Sequence, residues 1–538
     1  MAVSAYETLS EVVASRMKET DQVELTPEEI EGLMQRLDTE TLRGDDLPTI
    51  KAIIRAYLLV IRALQDKKAT IKKLVRMIFG PRTEKARTVL VTTASPGKGT
   101  GASEESVKPQ CGHGRNGASA YTGAERITVP HSVMNTGDVC PGCERGKVYP
   151  WPPGVHVRIT GGAPLRSQVW ETEKLRCNLC GEVFTAPLPE GAGTEKYDET
   201  AGAMVGLLRY GSGLPFNRLE HLQESMGSPL PASTQWDIAH GTAKRLYPIY
   251  EELVRQAAQG SLIHNDDTTM KILTLVNNDD EGRTGTFTTG ILSVVGDKKI
   301  VLFFTGRNHA GENMADLLRQ RDPQTAPPLQ MCDALTRNTS KEFQTILGNC
   351  LTHARRNFVE VAENFPEECS YVIETLAEVY KNDKTTKEEQ MTPLTRLHYH
   401  QAHSGPLMKQ MHQWMTDQME SRKVEPNSGL GKAISYVMKH WEPLTLFLRV
   451  EGAPLDNNIC EQALKRAILH RKNSLFYKTL RGAQVGDIFM SLIHTCTLAK
   501  VNPFDYLVAL QKHAQDVLKS PHTWLPWNYK AATAALSA

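Results

Sequence analysis

The sequence predicts a multidomain α+β protein, in which an α/β core with a helical insertion follows several smaller N-terminal parts. Three observations predict this class. The 538 residues exceed what one hydrophobic core normally serves. Apolar runs with strand-like patterns alternate with helical periodicity between residues 259 and 356. Two Cys-x-x-Cys pairs precede this region.

Composition and charge exclude several classes of protein. The formal net charge is +1, which argues neither for nor against a polyanionic partner, so charge must be read locally. The first residues contain no apolar segment typical of a secretory signal, and no apolar run approaches the roughly 18 residues of a membrane span. The ten cysteines are mostly single. We therefore expect a soluble, cytoplasmic protein with reduced thiols and no membrane partner.

Residues 1–90 form the predicted N-terminal helical region. Apolar residues from Tyr57 to Ile78 recur at alternating spacings of four and three, with a break at Lys68. This pattern fits either an amphipathic helix packed on its own protein or a short dimerising coiled coil. Residues 51–90 contain eleven Lys or Arg against two acids, which favours a helix facing phosphates. The candidate DNA contacts here are Lys72, Lys73, Arg76 and Arg82.

A cysteine-containing module is predicted at residues 127–190, after a flexible linker at 91–126 that is rich in Gly, Ser and Ala. Its two Cys-x-x-Cys pairs are separated by 33 residues. Four thiolates paired in this way suit one structural, tetrahedral Zn²⁺. The alternative is four unligated structural cysteines. The predicted zinc ligands are Cys140, Cys143, Cys177 and Cys180.

Residues 191–258 have helical patterns throughout. One predicted helix ends at Gly227, and after a short turn Ser233 is expected to cap the next helix. This arrangement is typical of a DNA-binding helix-turn-helix, although plain helical hairpins share it.

The first part of the core is predicted at residues 259–356. The segment "SLIHNDDTTMKIL" begins as an apolar strand and continues into two acids, and "GTFTTGILSVVGD" and "KKIVLFFTG" predict two further strands joined by a tight turn. A helix follows, then the strand "PLQMCDAL", a short helix at 341–347 and a last strand. This order is typical of the ribonuclease H-like fold, and it puts Asp266 and Asp333 on neighbouring strands.

The rest of the chain is predicted to be mainly helical. Residues 357–450 form a helical insertion, residues 451–515 complete the core, and residues 516–538 form a C-terminal tail. The segment Asp456-Asn457-Asn458 predicts the start of the helix that carries Glu461. On that helix Leu464 and Ile468 are expected to face the sheet.

Asp266, Asp333 and Glu461 are the candidate catalytic residues. Three convergent carboxylates are typical ligands of two hard divalent cations, Mg²⁺ or Mn²⁺, that bracket a phosphate. The alternative is that these acids are turn-formers or caps. Nearby bases would hold a nucleic-acid backbone. These predicted DNA contacts are Lys465, Arg466, Arg471, Lys472, Lys478, Arg481, Arg355 and Arg356.

Most of the chain resembles the transposases of the insertion sequence 66 family, which are bacterial DDE transposases. "KKLVRMIFGPRTEK" is similar to the family's N-terminal signature, and the Cys-x-x-Cys pairs match its zinc-finger segment. "DDTTMKIL", "GNCLTHARRNFVEV" and "LDNNICEQALKRAILHRKNSLFYKTLRGA" resemble its catalytic segments. Asp267 stands where the family usually has Glu and Gln462 where it has Arg, and "MCDALTRN" lacks the usual Gly-Tyr.

The resemblance implies metal-dependent hydrolysis at the ends of the element, followed by attack of the released 3′-hydroxyl on target DNA. The implied partners are double-stranded DNA, further copies of the chain in a dimer or larger assembly, and possible accessory proteins from the same element. His353 could orient a phosphate or a water, or could simply pack. Two alternatives are a structure-selective nuclease on the same scaffold and a DNA-binding regulator with an inactive core.

Overall fold

The computed structural model of the protein describes eight single positions between residues 33 and 50, and then residues 135–150, 162–176, 183–189, 193, 195–276, 283 and 285–537. The chain forms two compact units, Met1–Ser95 and Pro96–Ala538. In the first unit Leu33 is buried, and the guanidinium of Arg36 donates two hydrogen bonds to Asp46 at 2.9 and 2.8 Å. The predicted basic helix and the linker at 91–126 lie outside the described residues.

In the described part of the second unit, a small antiparallel pair of strands and three helices precede the central sheet. Strand β1 (Lys174–Arg176) pairs with β2 (Val183–Thr185). Helix α1 (Glu199–Gly206) continues as a π-helical turn at Leu207–Gly211. Helices α2 (Phe216–Ser225) and α3 (Ala232–Ala257) follow.

The turn between α2 and α3 tests the predicted helix boundaries. Gly227 has a φ of +72°, a value that suits glycine after a helix, and the predicted helix end is confirmed. The predicted cap at Ser233 is wrong, because α3 already begins at Ala232, after Pro231, and no side chain caps it. Proline fixes its own φ and cannot donate a hydrogen bond, so it suits the position before the first turn.

A five-stranded sheet forms the centre of this unit. Its strands are β3 (Leu262–Thr269), β4 (Phe287–Val295), β5 (Lys298–Gly306), β6 (Leu329–Cys332) and β7 (Ile346–Asn349). Their order is β5-β4-β3-β6-β7. Neighbours among β5, β4 and β3 are antiparallel, whereas β3, β6 and β7 are parallel. The four strands for which the sequence analysis quotes a segment are β3, β4, β5 and β6, and all four are confirmed.

One predicted helix in the core is wrong. Residues 341–347 were expected to be helical, but Ile346 and Leu347 begin strand β7, and the short helical turn in this region is a 3-10 turn at Thr336–Asn338. Leu347 pairs with Gln330 of β6. Pairing with a neighbouring strand outweighs the weak local helical preference of this short segment.

Helices surround the sheet and form the insertion. Helices α4 (Leu273–Val276) and α5 (Ala310–Leu318) lie between the strands in sequence. The insertion contains α6 (Leu351–Val361), α7 (Pro366–Glu388), α8 (Pro393–His403), α9 (Gly405–Glu420), α10 (Gly429–Lys439) and α11 (Trp441–Leu444). Residues 357–450 are all described and contain no strand, so the helical character predicted for this segment is confirmed.

Five further helices complete the second unit. They are α12 (Asn458–Ser474), α13 (Leu480–Leu498), α14 (Pro503–Lys512), α15 (Ala514–Lys519) and α16 (Tyr529–Ser537). Trp524 and Tyr529, in the segment predicted as a tail, are buried in the main core. In the described part of the chain, no helix combines the length and the apolar character that crossing a membrane requires.

One hydrophobic core joins α1, α2–α3 and the sheet. Its buried residues include Ala203 of α1, Leu246 of α3, Ile291 of β4 and Phe489 of α13. The helices at 191–258, predicted as a DNA-binding domain, therefore share their core with the sheet.

Helix α13 covers the edge strand β5 by hydrogen bonds from backbone to side chain. Three alternate N–H groups of β5 donate to side chains on α13, and these side chains are four residues apart. The pairs are Val301 with Thr495 at 3.1 Å, Phe303 with Ser491 at 2.9 Å and Thr305 with Asp487 at 2.7 Å. The spacings match because two strand residues span about 6.8 Å and four helical residues about 6 Å.

Asp487 makes this edge sensitive to pH. It is buried, and burial raises its pKa to about 7, although hydrogen bonds from Thr305 oppose the shift. Between pH 4 and 7, roughly, the folded protein keeps a proton on Asp487 that the unfolded chain releases. The free energy of unfolding should therefore fall as the pH rises through this window.

Asp487→Asn is expected to remove that part of the pH dependence. An asparagine can accept from the Thr305 N–H and donate to its hydroxyl, and it does not ionise. Relative to the unchanged protein, the variant should gain stability from pH 5 to pH 8, by up to about 3 kcal/mol. Urea unfolding of both proteins at the two pH values measures this difference. Parallel pH profiles would contradict the prediction.

Candidate active site

The two adjacent acids of β3 have different surroundings. Successive side chains of a strand point to opposite faces of the sheet. The side chain of Asp267 is 1% exposed, and its oxygens lie 3.0 Å from Nδ1 of His309 and 3.2 Å from Nη2 of Arg337. Its carboxylate is thus held by two side chains on its own face of the sheet.

Asp266 lies on the other face, close to the remaining two candidate acids. Its pKa is raised to about 7, first by burial and then by the negative charges of Asp333, Asp267 and Glu461. The hydrogen bond that it accepts from the backbone N–H of Asp267, at 2.8 Å, opposes this shift. The three acids predicted from the sequence therefore form one electrostatically coupled group.

Asp333 is positioned by a buried network of amides. It follows β6 directly, and its Oδ1 accepts hydrogen bonds from the side-chain amide of Asn338 and from the backbone N–H of Leu335. The backbone oxygen of Asn338 in turn accepts from Asn265 at 2.7 Å and from Gln330 at 2.8 Å. Strands β3 and β6 thus fix the turn that carries Asp333.

Glu461 lies in the first turn of α12, which packs closely on the sheet. Gly290 of β4 is directly opposite Asp266 in the strand register. A Cβ atom at Gly290 would meet the side chain of Leu464 at 3.0 Å. Leu464 is buried, as predicted from the helical spacing. The missing side chain at residue 290 therefore lets α12 bring Glu461 toward Asp266.

Asn457 anchors the start of α12 to β3. It is fully buried, and its Nδ2 donates to the backbone oxygen of Asn265 at 3.1 Å. Its Oδ1 is 3.0 Å from Nδ1 of His264. Burial lowers the pKa of His264 to about 4, so the neutral ring can donate this hydrogen bond. The backbone N–H of Asn457 also donates to Sγ of Cys350 at 3.3 Å.

Sequence reasoning missed this anchoring role. The Asp-Asn-Asn segment predicts the start of a helix, which is correct, but a hydrogen bond between His264 and Asn457, 193 residues apart, has no local signal. The available hint was His264 directly after the apolar residues Leu262 and Ile263.

Glu461 also faces a second group of possible ligands. Within the described residues, Cys350, His353 and Glu461 are the set of three whose ligand atoms lie within 4.8 Å of one another. Asp266 and Asp333 are not part of that set. Oε1 of Glu461 is buried without a hydrogen-bond partner. An unpartnered buried carboxylate oxygen is costly, and a bound cation would relieve the cost.

The predicted basic residues differ in their accessibility. Arg471 donates to the hydroxyls of Thr268 and Thr269, at 3.0 and 2.7 Å, and so ties α12 to the end of β3. Arg466 is half-buried, and burial lowers its pKa. Arg355 is also buried, which favours a structural role. Arg356 is half-buried. The predicted contacts that are exposed are Lys465, Lys472, Lys478 and Arg481. The predicted contacts of the N-terminal region, Lys72, Lys73, Arg76 and Arg82, lie outside the described residues.

A cleft of about 720 Å³ lies between α3, the end of β5 and the start of α13. Its lining includes His240, Lys244, Tyr247, Arg307 and Arg481. The pKa of His240 is lowered by burial and by the positive charges of Arg481 and Lys244. The lining holds three Lys or Arg side chains and one acid, Asp487, together with an aromatic surface. Sequence reasoning had not located this positive cleft.

The first cysteine pair lies in a tight turn. Val139 and Lys147 form an isolated antiparallel bridge, and the N–H of Cys140 donates to the oxygen of Gly146 at 2.7 Å. The N–H of Gly146 points at Sγ of Cys143, 3.5 Å away. Hydrogen bonds from the backbone of Arg145 and Gly146, followed by one from Cys140, lower the pKa of Cys143. Cys177 and Cys180 lie outside the described residues, between β1 and β2.

Comparison with known proteins places the three acids in a family context. The sequence profile of the family described as "Transposase IS66 family" matches residues 196–485, which is more than half of the chain. The chain belongs to this family. The matched segment contains Asp266, Asp333 and Glu461, and the resemblance noted in the sequence is confirmed at the level of the family.

Three proteins of Sinorhizobium fredii (strain NBRC 101917 / NGR234), the uncharacterized proteins y4jD, y4hP and y4qI, are similar to the chain. The chain is 31% identical to y4jD over 199 residues, which are 36% of this chain and 38% of y4jD. It is 26% identical to y4hP over 402 residues, covering 69% of this chain and 70% of y4hP. It is 27% identical to y4qI over 188 residues, or 34% of each protein.

Proposed function

We propose that the protein is a DDE transposase that binds the ends of an insertion sequence, hydrolyses phosphodiester bonds there and joins the 3′-hydroxyl ends to target DNA. The observation that carries this proposal is the placement of the three acids inside the segment matched by the family. Asp266 lies on β3, Asp333 directly follows the neighbouring strand β6, and Glu461 lies at the start of α12, which packs on the sheet beside Asp266.

The topology of the sheet supports a ribonuclease H-like core. Three antiparallel strands are followed by two that run parallel to the first, in the order β5-β4-β3-β6-β7. Asp266 lies on the first of these strands, and Asp333 directly follows the fourth. In this proposal Glu461 completes the site from a helix that follows the insertion.

The three carboxylates suit two Mg²⁺ or Mn²⁺ ions. Their oxygens are the ligand type that these cations prefer. The pKa of Asp266 is raised first by burial and then by the neighbouring carboxylates, and a bound cation would favour the charged form of this group. When bound, the two metals would make the attacking oxygen more nucleophilic and would stabilise the negative charge on the leaving oxygen.

The protein's own residues would hold the ligands and the DNA in place. Asn338 and Asn457 fix the segments that carry Asp333 and Glu461, so the carboxylates are positioned before DNA arrives. Lys465 and Lys472 are exposed on the same helix as Glu461 and would contact the phosphate backbone. No covalent bond between the protein and DNA is required.

The positive cleft would extend the DNA-binding surface. Lys244 and Arg481 line it together with Tyr247, and cationic side chains beside an aromatic ring suit a phosphate and an adjacent base. The proposed partners are the double-stranded ends of the element and target DNA, bound by two or more copies of the chain in the bacterial cytoplasm, with accessory proteins of the same element as possible partners.

Asp266→Asn and Asp267→Asn are expected to differ sharply. Asp266→Asn should abolish Mn²⁺ binding at the carboxylates and DNA cleavage, because it removes a ligand. Asp267→Asn should retain both, at a cost of about 1–3 kcal/mol in stability from its weakened contacts with His309 and Arg337. Calorimetric Mn²⁺ titration and thermal unfolding of the two variants measure this. Equal loss of Mn²⁺ binding in both would reject Asp266 as the ligand.

We propose a structural Zn²⁺ bound by Cys140, Cys143, Cys177 and Cys180. The donation of N–H groups toward Sγ of Cys143 supports it, since such turns stabilise thiolate ligands. The pairing of β1 and β2 also supports it, because these strands flank the second cysteine pair.

Cys140→Ser is expected to release this zinc and to weaken binding to the element's ends. Zinc content by mass spectrometry and end binding by gel shift measure the two effects, and Cys369→Ser, a buried cysteine of α7, is the matched control. Unchanged zinc content in Cys140→Ser would show that the metal is bound elsewhere.

A strand-transfer assay tests the proposed function. Purified full-length protein is incubated with labelled duplexes from the DNA flanking its gene, a plasmid target and Mg²⁺ or Mn²⁺. Joined product is expected. Cutting without joining would instead favour a structure-selective nuclease, and binding without either reaction would favour a DNA-binding regulator.

A further inference from the structure

The starts of α6 and α12 meet beside the proposed catalytic carboxylates. Cys350 is the residue before α6, and His353 follows in the first turn of that helix. Glu461 lies in the first turn of α12. The N–H of Leu351 donates to the oxygen of Leu455 at 3.0 Å, so backbone contacts hold the two segments together. Three different ligand types are thus brought together by well-defined structure.

Two facing atoms of this group, on His353 and Glu461, have no hydrogen-bond partners. Nδ1 of His353 and Oε1 of Glu461 are 3.7 Å apart, which is too long for a hydrogen bond. Both atoms are buried and unpartnered. Leaving two such atoms unsatisfied costs roughly 1–3 kcal/mol each. A ligand that contacts both atoms at once would remove this cost.

We propose that Cys350, His353 and Glu461 form a binding site for a borderline-soft divalent transition-metal ion such as Zn²⁺ or Co²⁺. The ligand atoms lie within 4.8 Å of one another. Metal–ligand distances of about 2.0–2.3 Å in a tetrahedral site require ligand atoms about 3.3–3.8 Å apart. The His353–Glu461 distance already meets this requirement, and a small movement would bring Sγ into range.

The donor set separates this site from the proposed pair of hard cations. Sulfur and imidazole nitrogen select zinc-like metals, whereas Mg²⁺ prefers oxygen alone. Glu461 would be shared, with Oε1 on the transition metal and its other oxygen available to the carboxylate group of Asp266 and Asp333. The ion would then fix the orientation of Glu461. The sharing of Glu461 between the two sites is the part of this inference that rests on the proposed function.

Cobalt binding tests the site without any measurement of transposition. Metal-free full-length protein is titrated with CoCl₂ under anaerobic conditions, and bound Co²⁺ and the thiolate-to-cobalt absorption are recorded. The variants are Cys350→Ser and His353→Gln, with Cys369→Ser as the control. The proposed four-cysteine site is the same in all of them, so difference spectra isolate the new site.

The unchanged protein and Cys369→Ser are expected to bind one more Co²⁺ per chain than Cys350→Ser or His353→Gln. Asp266→Asn is expected to keep this extra ion. Equal Co²⁺ binding and identical spectra in all four proteins would overturn the inference. Loss of the ion in Asp266→Asn would also overturn it, because the ion would then belong to the carboxylates. His353→Gln retains Cys350 in the buried contact between α6 and α12, so it tests the site even where Cys350→Ser fails to fold.

Discussion

Glu461→Gln is expected to abolish DNA cleavage and strand transfer while leaving the fold and binding to DNA ends intact. Glutamine keeps the size of the side chain but removes the charge that couples to Asp266. A metal ligand at the reacting phosphate stabilises the transition state, so a loss of at least about 1,000-fold, or about 4 kcal/mol, is expected.

Gln462→Ala is the matched control for this variant. It changes the next residue of the same helix, which is exposed. Rates of cleavage and joining, measured with excess protein on labelled element ends, should stay near those of the unchanged protein in the control. Strand transfer by Glu461→Gln at the normal rate would remove Glu461 from the proposed site.

Asn457→Ala is expected to lower both stability and strand transfer. The substitution removes the partners of His264 and of the Asn265 carbonyl, both of which are buried. Two buried polar groups without partners cost roughly 2–6 kcal/mol in unfolding free energy. The start of α12 would lose its anchor to β3, and Glu461 would lose its alignment with Asp266.

Asn458→Ala is the control for this variant. It removes an asparagine near the start of α12 without removing the contact between Asn457 and β3. Asn458 is bonded to Asp456 within its own segment and does not reach β3. Urea unfolding should show a much smaller loss for Asn458→Ala, and single-turnover strand transfer should be nearly unchanged. Equal effects of the two substitutions would show that the contact between Asn457 and β3 does not position the site.

The main strands and the three acids could be predicted because their signals are local. Short apolar segments followed by acids identified β3 and β6, and the Asp-Asn-Asn segment identified the start of α12. Spacing of three and four residues along α12 gave the burial of Leu464.

Other features depend on tertiary contacts and had no local signal. Alternation along β3 separates Asp266 from Asp267 but does not say which face carries α12; the packing of Leu464 against Gly290 decides this. The segment Ile346–Asn349 becomes a strand through its pairing with β6. The boundary predicted after residue 258 reflected a change of periodicity, while buried residues of α3 continue into the core of the sheet.

The covering of β5 by α13 has a consequence during protein synthesis. Thr305 and Asp487 are hydrogen-bonded across 182 residues of sequence. A ribosome adding about 5–20 residues per second needs roughly 10–40 s to make the connecting chain. During that interval the outer N–H groups of β5 have no side chains from α13, and an uncovered edge strand can pair with another chain. Nascent chains on neighbouring ribosomes are therefore most prone to aggregation before α13 emerges.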